Sequence, residues 1–182
     1  GILPLLNIEP NIHILDCTDL EVNFKNSNYE MSGISHSKRD NKLTRGYKLA
    51  TLRGIVKDVG LIEDIRFGSI QSHDLNLSEE MVRTSPVLKP GDILINDRGF
   101  MSRELMNFLK VERNVDTYIP LRKNMVAYQQ AILSAKEQNI WKPHPNFKRK
   151  NQVISLVEGM GMYWDSDTPE NDVPINTCVV WD

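Results

Sequence analysis

The hydrophobic positions of the chain come in short runs separated by polar and turn residues, a pattern typical of strands. An apolar run at His13–Leu15 passes into the more polar segment Asp16–Val22. Partly alternating residues follow at Gly46–Val56 and Leu61–Ile70, with a short turn between them. Strands joined by short links favour an antiparallel meander. The stretch Asn23–Arg45 lacks apolar periodicity and predicts a long loop.

Helical spacing enters further along the chain and alternates with strands. Ser78 predicts the cap of a short helix that ends before Pro86, and Ser102 predicts the cap of a clearer helix. The remaining predicted segments are strands at Asp92–Asp97 and Val115–Leu121, a helix at Met125–Glu137, a basic connection at Trp141–Lys150, and strands at Val153–Trp164 and Thr177–Trp181 around an acidic loop, 165–172. Three strands, helix, strand, helix, strand and helix is the order of a ribonuclease H-like mixed sheet in an α/β protein, although other α/β folds share it.

Composition sets broad limits on the kind of protein. The 182 residues fit one domain, or one domain with a small annex. No apolar run approaches the roughly 20 residues that a membrane helix needs. The two cysteines, Cys17 and Cys178, form neither a disulfide framework nor a CxxC pair. We therefore expect a cytoplasmic protein with no membrane partner.

Two apolar strands end on an aspartate, at Asp16 and at Asp97. Side chains at strand ends of α/β sheets point into a crevice, and carboxylates are the oxygen ligands that Mg²⁺ prefers. If the two strands are neighbours, both acids could share one ion. The alternative is that each aspartate simply starts a turn, since Asp is a favoured turn residue. Cys17 has no convincing histidine partner, which favours a packed small side chain over a nucleophile.

Three stretches in order along the chain, Ile14–Thr18, Gly91–Phe100 and Tyr118–Asn124, resemble the DDE transposases of bacterial insertion sequences. The similar group carries a β-rich insertion before its third catalytic acid. In that family a strand ending in Asp-x-Thr supplies the first acid, and an Asp-Arg-Gly-Phe/Tyr turn supplies the second.

The resemblance implies a ribonuclease H-like sheet on which Asp16 and Asp97 are catalytic acids and ligands of Mg²⁺ or Mn²⁺. The reaction would be hydrolytic nicking at the element ends, followed by attack of the freed 3′-hydroxyl on target DNA. Asp19 is a near rival for the first acid. The residues given a supporting position beside the ions are Thr18, Asp19, His73 and Asp74.

The third acid of the family, a Glu on a helix after the insertion, has no match in this sequence. Glu158 lies in a strand-like run and Glu170 lies in the acidic loop. Both chain ends resemble cuts, so we expect a core that stops before the catalytic Glu and is inactive alone. An acid outside this chain would complete the two-metal site. The predicted divisions are a leading segment, 1–11, an incomplete catalytic core, 12–150, and part of the inserted β-region, 151–182.

The net charge of −2 conceals an uneven distribution. Residues 38–57 hold seven basic residues against one acidic residue, a net charge of +6, and a second basic group lies at 142–150. Basic clusters neutralise phosphates, although such clusters are also common on solvated faces. The residues expected to contact DNA are Lys48, Arg98, Arg122, Lys123, Lys148 and Arg149. The expected partner is double-stranded DNA, bound by a homodimer of the full-length protein.

Two other functions remain open from the sequence. A haloacid dehalogenase-like phosphatase also places an Asp at the end of a strand, with a Thr nearby. It requires a helix and a parallel sheet after the first strand, whereas 46–70 predicts two extended runs. The other alternative is a non-catalytic remnant of a transposase that still binds DNA.

Overall fold

The computed structural model describes residues 9–23, 25, 28–37, 41–57, 59–161 and 173–182. Several predicted features lie outside the described residues: positions 1–8 of the leading segment, Lys38, Arg39, Asp40, Trp164 and the acidic loop 165–172, which includes Glu170. Contacts divide the chain into two compact units, Gly1–Pro120 and Leu121–Asp182. Among the described helices, none is long and apolar enough to cross a membrane.

The described residues form nine strands and three α-helices. The strands are β1 (Ile12–Val22), β2 (Gly33–Ser37), β3 (Lys42–Val56), β4 (Val59–Ser69), β5 (Ile93–Asn96), β6 (Asp116–Tyr118), β7 (Lys142–Pro143), β8 (Val153–Met160) and β9 (Ile175–Trp181). The helices are α1 (Asp74–Thr84), α2 (Arg103–Val111) and α3 (Val126–Gln138), and short 3₁₀ turns lie at Arg98–Phe100 and Phe147–Arg149.

The first unit contains one mixed sheet, in which β1 is central. β1 pairs antiparallel with β3 on one side and parallel with β5 on the other. β4 pairs antiparallel with β3, and β6 pairs parallel with β5. The order β4–β3–β1–β5–β6 confirms the predicted α/β class, a ribonuclease H-like sheet built from an antiparallel meander followed by β/α units.

One face of this sheet forms the core of the first unit. Leu15 on β1 and Leu52 on β3 are paired in register and buried, and Leu94 on β5 belongs to the same cluster. The cluster also includes four residues of α1 and α2: Met81, Val82, Leu105 and Leu109. Burying each such side chain stabilises the fold by about 1.5–3 kcal/mol. Both helices therefore pack on the same face of the sheet.

The prediction of a loop at Asn23–Arg45 is wrong for two parts of that stretch, because β2 lies at Gly33–Ser37 and β3 already begins at Lys42. The residues of β2 pair with Lys42–Gly46, so β2 extends the edge of β3 that β4 also uses. Its sequence, Gly-Ile-Ser-His-Ser, has little apolar alternation. Backbone hydrogen bonds to β3 are what form this strand, and they leave no mark in the side-chain pattern.

The first helix begins four residues before its predicted cap. His73 is the N-cap of α1, and its ring accepts a hydrogen bond from the Leu75 backbone N–H at 3.2 Å. Ser78 is buried inside the helix and donates to the Asp74 carbonyl at 2.7 Å. A mid-helix serine often bonds to the carbonyl four residues earlier, so a serine alone does not identify a cap. The cap predicted at Ser102 is confirmed, since its hydroxyl accepts from the Leu105 N–H.

Other predicted boundaries move by several residues. The fifth predicted strand, Val115–Leu121, is shorter in the structure, where β6 covers only Asp116–Tyr118. The predicted connection Trp141–Lys150 contains β7 and a 3₁₀ turn, and the predicted strand from Val153 ends at Met160. The compact units divide after Pro120, whereas the predicted catalytic core runs to residue 150. The compact units are defined by contacts, whereas the predicted segments are defined by resemblance to a family. The predicted boundaries after residues 11 and 150 therefore stay predictions.

The second unit consists of α3 and an antiparallel three-stranded sheet in the order β7–β8–β9. Its small core joins alanines of the helix to the sheet: Ala131, Ala135, Val157, Met160 and Val179. Because alanine has a short side chain, the helix approaches the strands closely at these positions. The helix ends at Asn139, whose left-handed backbone (φ 50°) is a common way to terminate a helix.

A buried histidine connects three segments of the first unit. The His13 Nδ1 atom lies 2.7 Å from Glu63 Oε2, and Nε2 lies 3.0 Å from Asp92 Oδ2. The Asp92 carboxylate also accepts from the Lys89 backbone N–H. A Cβ atom on Gly54, opposite His13 on β3, would lie 2.7 Å from Glu63 Oε2, so the absence of a side chain there lets Glu63 reach the ring.

We predict that His13→Leu lowers the free energy of unfolding by about 3–5 kcal/mol, because it leaves two nearly buried carboxylates without their partner. Urea denaturation followed by circular dichroism measures the change. His36→Leu is the matched control, since His36 is exposed and its ring bonds only to Asn41 among the described contacts. A loss of less than about 1 kcal/mol for His13→Leu would mean that the network contributes little net stability.

Candidate active site

Asp16 and Asp97 follow the end of the parallel ladder between β1 and β5, whose last paired residues are Leu15 and Asn96. The prediction that the first strand ends on Asp16 is wrong, because β1 continues to Val22 through its pairing with β3. Asp16 is thus the next residue within β1, and Asp97 is the residue directly after β5. Neighbouring strands are about 4.8 Å apart. The register therefore places the backbones of the two aspartates next to each other, and the prediction that their strands are neighbours is confirmed.

Local hydrogen bonds hold both carboxylates while leaving them exposed. The Asp16 carboxylate accepts from the Cys17 backbone N–H at 2.9 Å. The Asp97 carboxylate accepts from the Gly99 N–H and so caps the 3₁₀ turn. Phe100 at the end of that turn is buried in the core and anchors it. Each acid is thus fixed through its own backbone, with the carboxylates open to solvent.

A second group of carboxylates surrounds Lys48 on the core face of the sheet. Lys48 on β3 is opposite Asp19 on β1, and its ammonium lies 3.5 Å from the Asp19 carboxylate and 2.5 Å from that of Asp74, the first residue of α1. Burial acts to lower the pKa of Lys48, but the hydrogen bond and charge of Asp74, together with Asp19, outweigh it and raise the pKa overall. Lys48 is therefore positively charged at neutral pH.

Cys17 lies between these two groups and stays protonated. Burial raises the pKa of its thiol to about 12, and the negative charge of Asp74 adds to this, with Lys48 acting in the opposite direction. The Cys17 sulfur contacts the Asp74 carbonyl at 3.9 Å and packs against the core. These contacts agree with the predicted role as a packed small side chain, because a thiol nucleophile needs a lowered pKa.

The acids present fit a hard divalent cation as part of a ligand set. Carboxylate oxygens suit Mg²⁺ and Mn²⁺. Asn96, just before Asp97, is buried, and its Oδ1 atom has no hydrogen-bond partner among the described residues. Within the described ranges, no three His, Cys, Asp or Glu side chains are grouped closely enough to enclose an ion.

The other predicted site residues lie in several places. Thr18 is exposed on β1, and His73 caps α1. Arg98 is exposed in the turn after Asp97. The four predicted basic residues of the second unit, Arg122, Lys123, Lys148 and Arg149, are all exposed. Lys48 differs from these, because its side chain is only 15% exposed and its ammonium is engaged by two carboxylates. Its predicted phosphate contact therefore gains no support from the structure and stays a prediction.

Two features of this region are missing from the sequence predictions. The hydrophobic pattern places Asn96 inside an apolar strand and predicts no role for it. An amide side chain at the end of the apolar run Ile-Leu-Ile-Asn is nevertheless a visible signal of a buried polar group. The partnership of Lys48 with Asp19 and Asp74 gives no signal, because it depends on the register of β3 against β1 and on the position of α1.

Comparison with known proteins gives one family. A family model described as a transposase DDE domain matches residues 8–163. No curated protein matches the chain. The phosphatase alternative is wrong on the fold, because β1 is followed by strands that pair antiparallel, β3 with β1 and β4 with β3, rather than by a helix and a parallel strand.

We predict that iodoacetamide at pH 8 modifies Cys17 at least about thirtyfold more slowly than exposed Cys178, because little of a thiol with a pKa near 12 is thiolate at that pH. Mass spectrometry of the two cysteine peptides measures both rates in one sample. The Cys17 rate should rise with pH up to about 12. Asp74→Asn should accelerate it, since that charge raises the thiol pKa. Equal rates at the two cysteines would contradict this account.

Proposed function

The chain belongs to the transposase DDE domain family, and we propose that Asp16 and Asp97 hold a divalent metal ion for cleavage and strand transfer of DNA. The observation that carries the proposal is the ladder of β1 with β5, which ends on Leu15 and Asn96 and leaves an aspartate next on each strand. Two exposed carboxylates on neighbouring segments, directly beyond the end of a parallel ladder, are suited to bind an ion and a phosphodiester together.

The proposed chemistry is hydrolysis followed by transesterification at phosphorus. A bound Mg²⁺ or Mn²⁺ supplies an activated water and stabilises the oxygen that leaves. Asp16 and Asp97 bind and orient, and the Gly99 N–H holds the Asp97 carboxylate in place. Water would attack the phosphorus and the bond to the 3′ oxygen would break, which frees a 3′-hydroxyl and leaves a 5′-phosphate. That 3′-hydroxyl would then attack a phosphorus of the target strand, and the bond from this phosphorus to the target's own 3′ oxygen would break, which frees a 3′-hydroxyl on the target. A further carboxylate from outside this chain is proposed to complete the ligand set.

The proposed DNA contacts include the basic residues of the second unit. Lys148 and Arg149 lie on an exposed 3₁₀ turn, and their side chains form no ion pair within the described part of the chain. Phe147 in the same turn is 81% exposed. Arg122 and Lys123 are exposed before α3. Solvated cations suit phosphate contacts, which give affinity that depends strongly on salt and little on sequence.

The other parts of the proposal rest on the family alone. Transposases bind DNA, and we propose double-stranded DNA as the substrate, a homodimer in the full-length protein, and a cytoplasmic place of action. The division into a catalytic core, 12–150, and part of an inserted β-region, 151–182, belongs to the same proposal.

We predict that Mn²⁺ raises the melting temperature of the chain and that Asp16→Asn or Asp97→Asn abolishes most of this shift. Stabilisation follows RT ln(1 + [L]/Kd), so loss of a carboxylate ligand that weakens binding at least about tenfold removes most of the effect at moderate Mn²⁺. Differential scanning fluorimetry measures the shift. Glu112→Gln is the control, since Glu112 is an exposed carboxylate at the end of α2. If the two Asp variants respond like wild type, the non-catalytic DNA-binding alternative is favoured.

We predict that the double variant Lys148→Ala/Arg149→Ala binds double-stranded DNA more weakly, and that the slope of log K against log[salt] falls by about 0.9 for each phosphate that the variant no longer neutralises. Fluorescence anisotropy between 50 and 200 mM salt, roughly the range over which such binding changes most, measures both quantities. Lys110→Ala is the matched control, because Lys110 is paired with Asp116 at 2.6 Å. An unchanged salt slope would exclude these two side chains as phosphate ligands.

A further inference from the structure

Lys48 occupies the place between two carboxylates that a bound cation would take. Its ammonium lies 2.5 Å from Asp74 Oδ1 and 3.5 Å from Asp19 Oδ1, and its side chain is 15% exposed. The antiparallel register of β3 with β1 sets Lys48 opposite Asp19, so the pair is fixed by the sheet backbone. A lysine ammonium is a compact point charge with three donors, which suits bonding to several carboxylates at once.

One of the two carboxylates that Lys48 holds, that of Asp74, lies near a proposed metal ligand. A Cβ atom placed on Gly99 would be 2.8 Å from Asp97 Oδ1 and 3.9 Å from Asp74 Oδ2, so both acids approach the same glycine. Asp19 follows Asp16 by three residues on β1, so its side chain points to the opposite face, the one that carries Lys48. Without a counter-ion, Asp19 and Asp74 would offer a divalent cation a second set of oxygen ligands.

We propose that Lys48 is a positioning residue, a built-in counter-ion that prevents Asp19 and Asp74 from binding a divalent cation of their own and leaves Asp16 and Asp97 as the ligands of the proposed ion. This inference rests on the proposed function, because it concerns which carboxylates reach the ion. It gives Lys48 a role different from the phosphate contact expected from its basic neighbourhood.

Charge and protonation are consistent with this role. The same two carboxylates that Lys48 contacts raise its pKa despite the opposing effect of burial, so the ammonium keeps its proton at neutral pH. Asp74 is also held by its backbone, since its carbonyl accepts from the Ser78 hydroxyl within α1. Lys48 therefore faces a carboxylate whose position is set by the start of the helix.

The test is a Mn²⁺ titration of the full 182-residue chain, with free Mn²⁺ measured by electron paramagnetic resonance. We expect Lys48→Met to bind one more Mn²⁺ than wild type, or to bind Mn²⁺ about tenfold more tightly, as loss of a nearby unit charge allows. Adding Asp74→Asn to Lys48→Met should remove the gain. Lys48→Arg, which keeps the charge, should titrate like wild type. Unchanged binding by Lys48→Met overturns the proposal.

A second measurement holds even if Lys48→Met does not fold. With Lys48 present, Asp74→Asn alone should change the Mn²⁺ affinity by no more than about threefold, the effect of one charge that acts on the ion through solvent without binding it. A tenfold loss or more would identify Asp74 as a metal ligand and overturn the proposal.

Failure of the proposed function has a separate signature. With Lys48 unchanged, the double variant Asp16→Asn/Asp97→Asn should lose Mn²⁺ binding. If it still binds Mn²⁺, the assigned metal ligands are wrong. The gain caused by Lys48→Met should persist when it is added to that double variant, because Asp19 and Asp74 form the new ligand set. A gain that depends on Asp16 and Asp97 would overturn the counter-ion role while leaving the proposed function intact.

Discussion

The parallel pairing of β1 with β5 is the constraint on which the rest of the first unit depends. It joins the antiparallel meander to the β/α half of the sheet, and it aligns Leu15 with Asn96. Burial of Leu15 and Leu94 in one cluster with α1 and α2 resists any slip of this register, since a shift of one residue would turn the apolar side chains to the opposite face. The same register places Asp16 beside Asp97, so the core and the candidate site are fixed by one ladder.

The sequence predicted the elements whose signal is local. An apolar run that ends in an acid marks both β1 and β5, and Ser102 marks the start of α2 through its own side chain. It missed β2, because that strand is formed by backbone bonds to β3 and its side chains carry little periodicity. It misplaced the start of α1, because the helix is capped by the ring of His73, a residue type outside the usual N-cap set.

The candidate site is likewise predictable only where its signal is local. Asp16 and Asp97 are visible in the sequence, since each stands directly after the apolar run that positions it. The role of Lys48 is not, because a run of basic residues predicts a solvated or DNA-facing surface, and only the folded sheet brings Asp19 and Asp74 against it. The net charge of a segment gives only the number of basic and acidic residues in it. The function of each basic residue depends on which acidic groups the tertiary structure brings into contact with it.

The alternation of side chains along β1 separates Asp16 from Asp19, the two candidates for the first acid. Successive side chains of a strand point to opposite faces, so two residues three apart face opposite ways. Asp19 shares its face with buried Leu15 and is drawn to Lys48, while Asp16 faces the other side with Thr51 opposite it on β3. Asp97 lies directly after β5, and its carboxylate accepts from the Gly99 N–H. The period of two along β1 thus directs Asp19 to Lys48 and leaves Asp16 on the opposite face, away from that lysine, which is why Asp16 rather than Asp19 is the acid proposed to bind the ion.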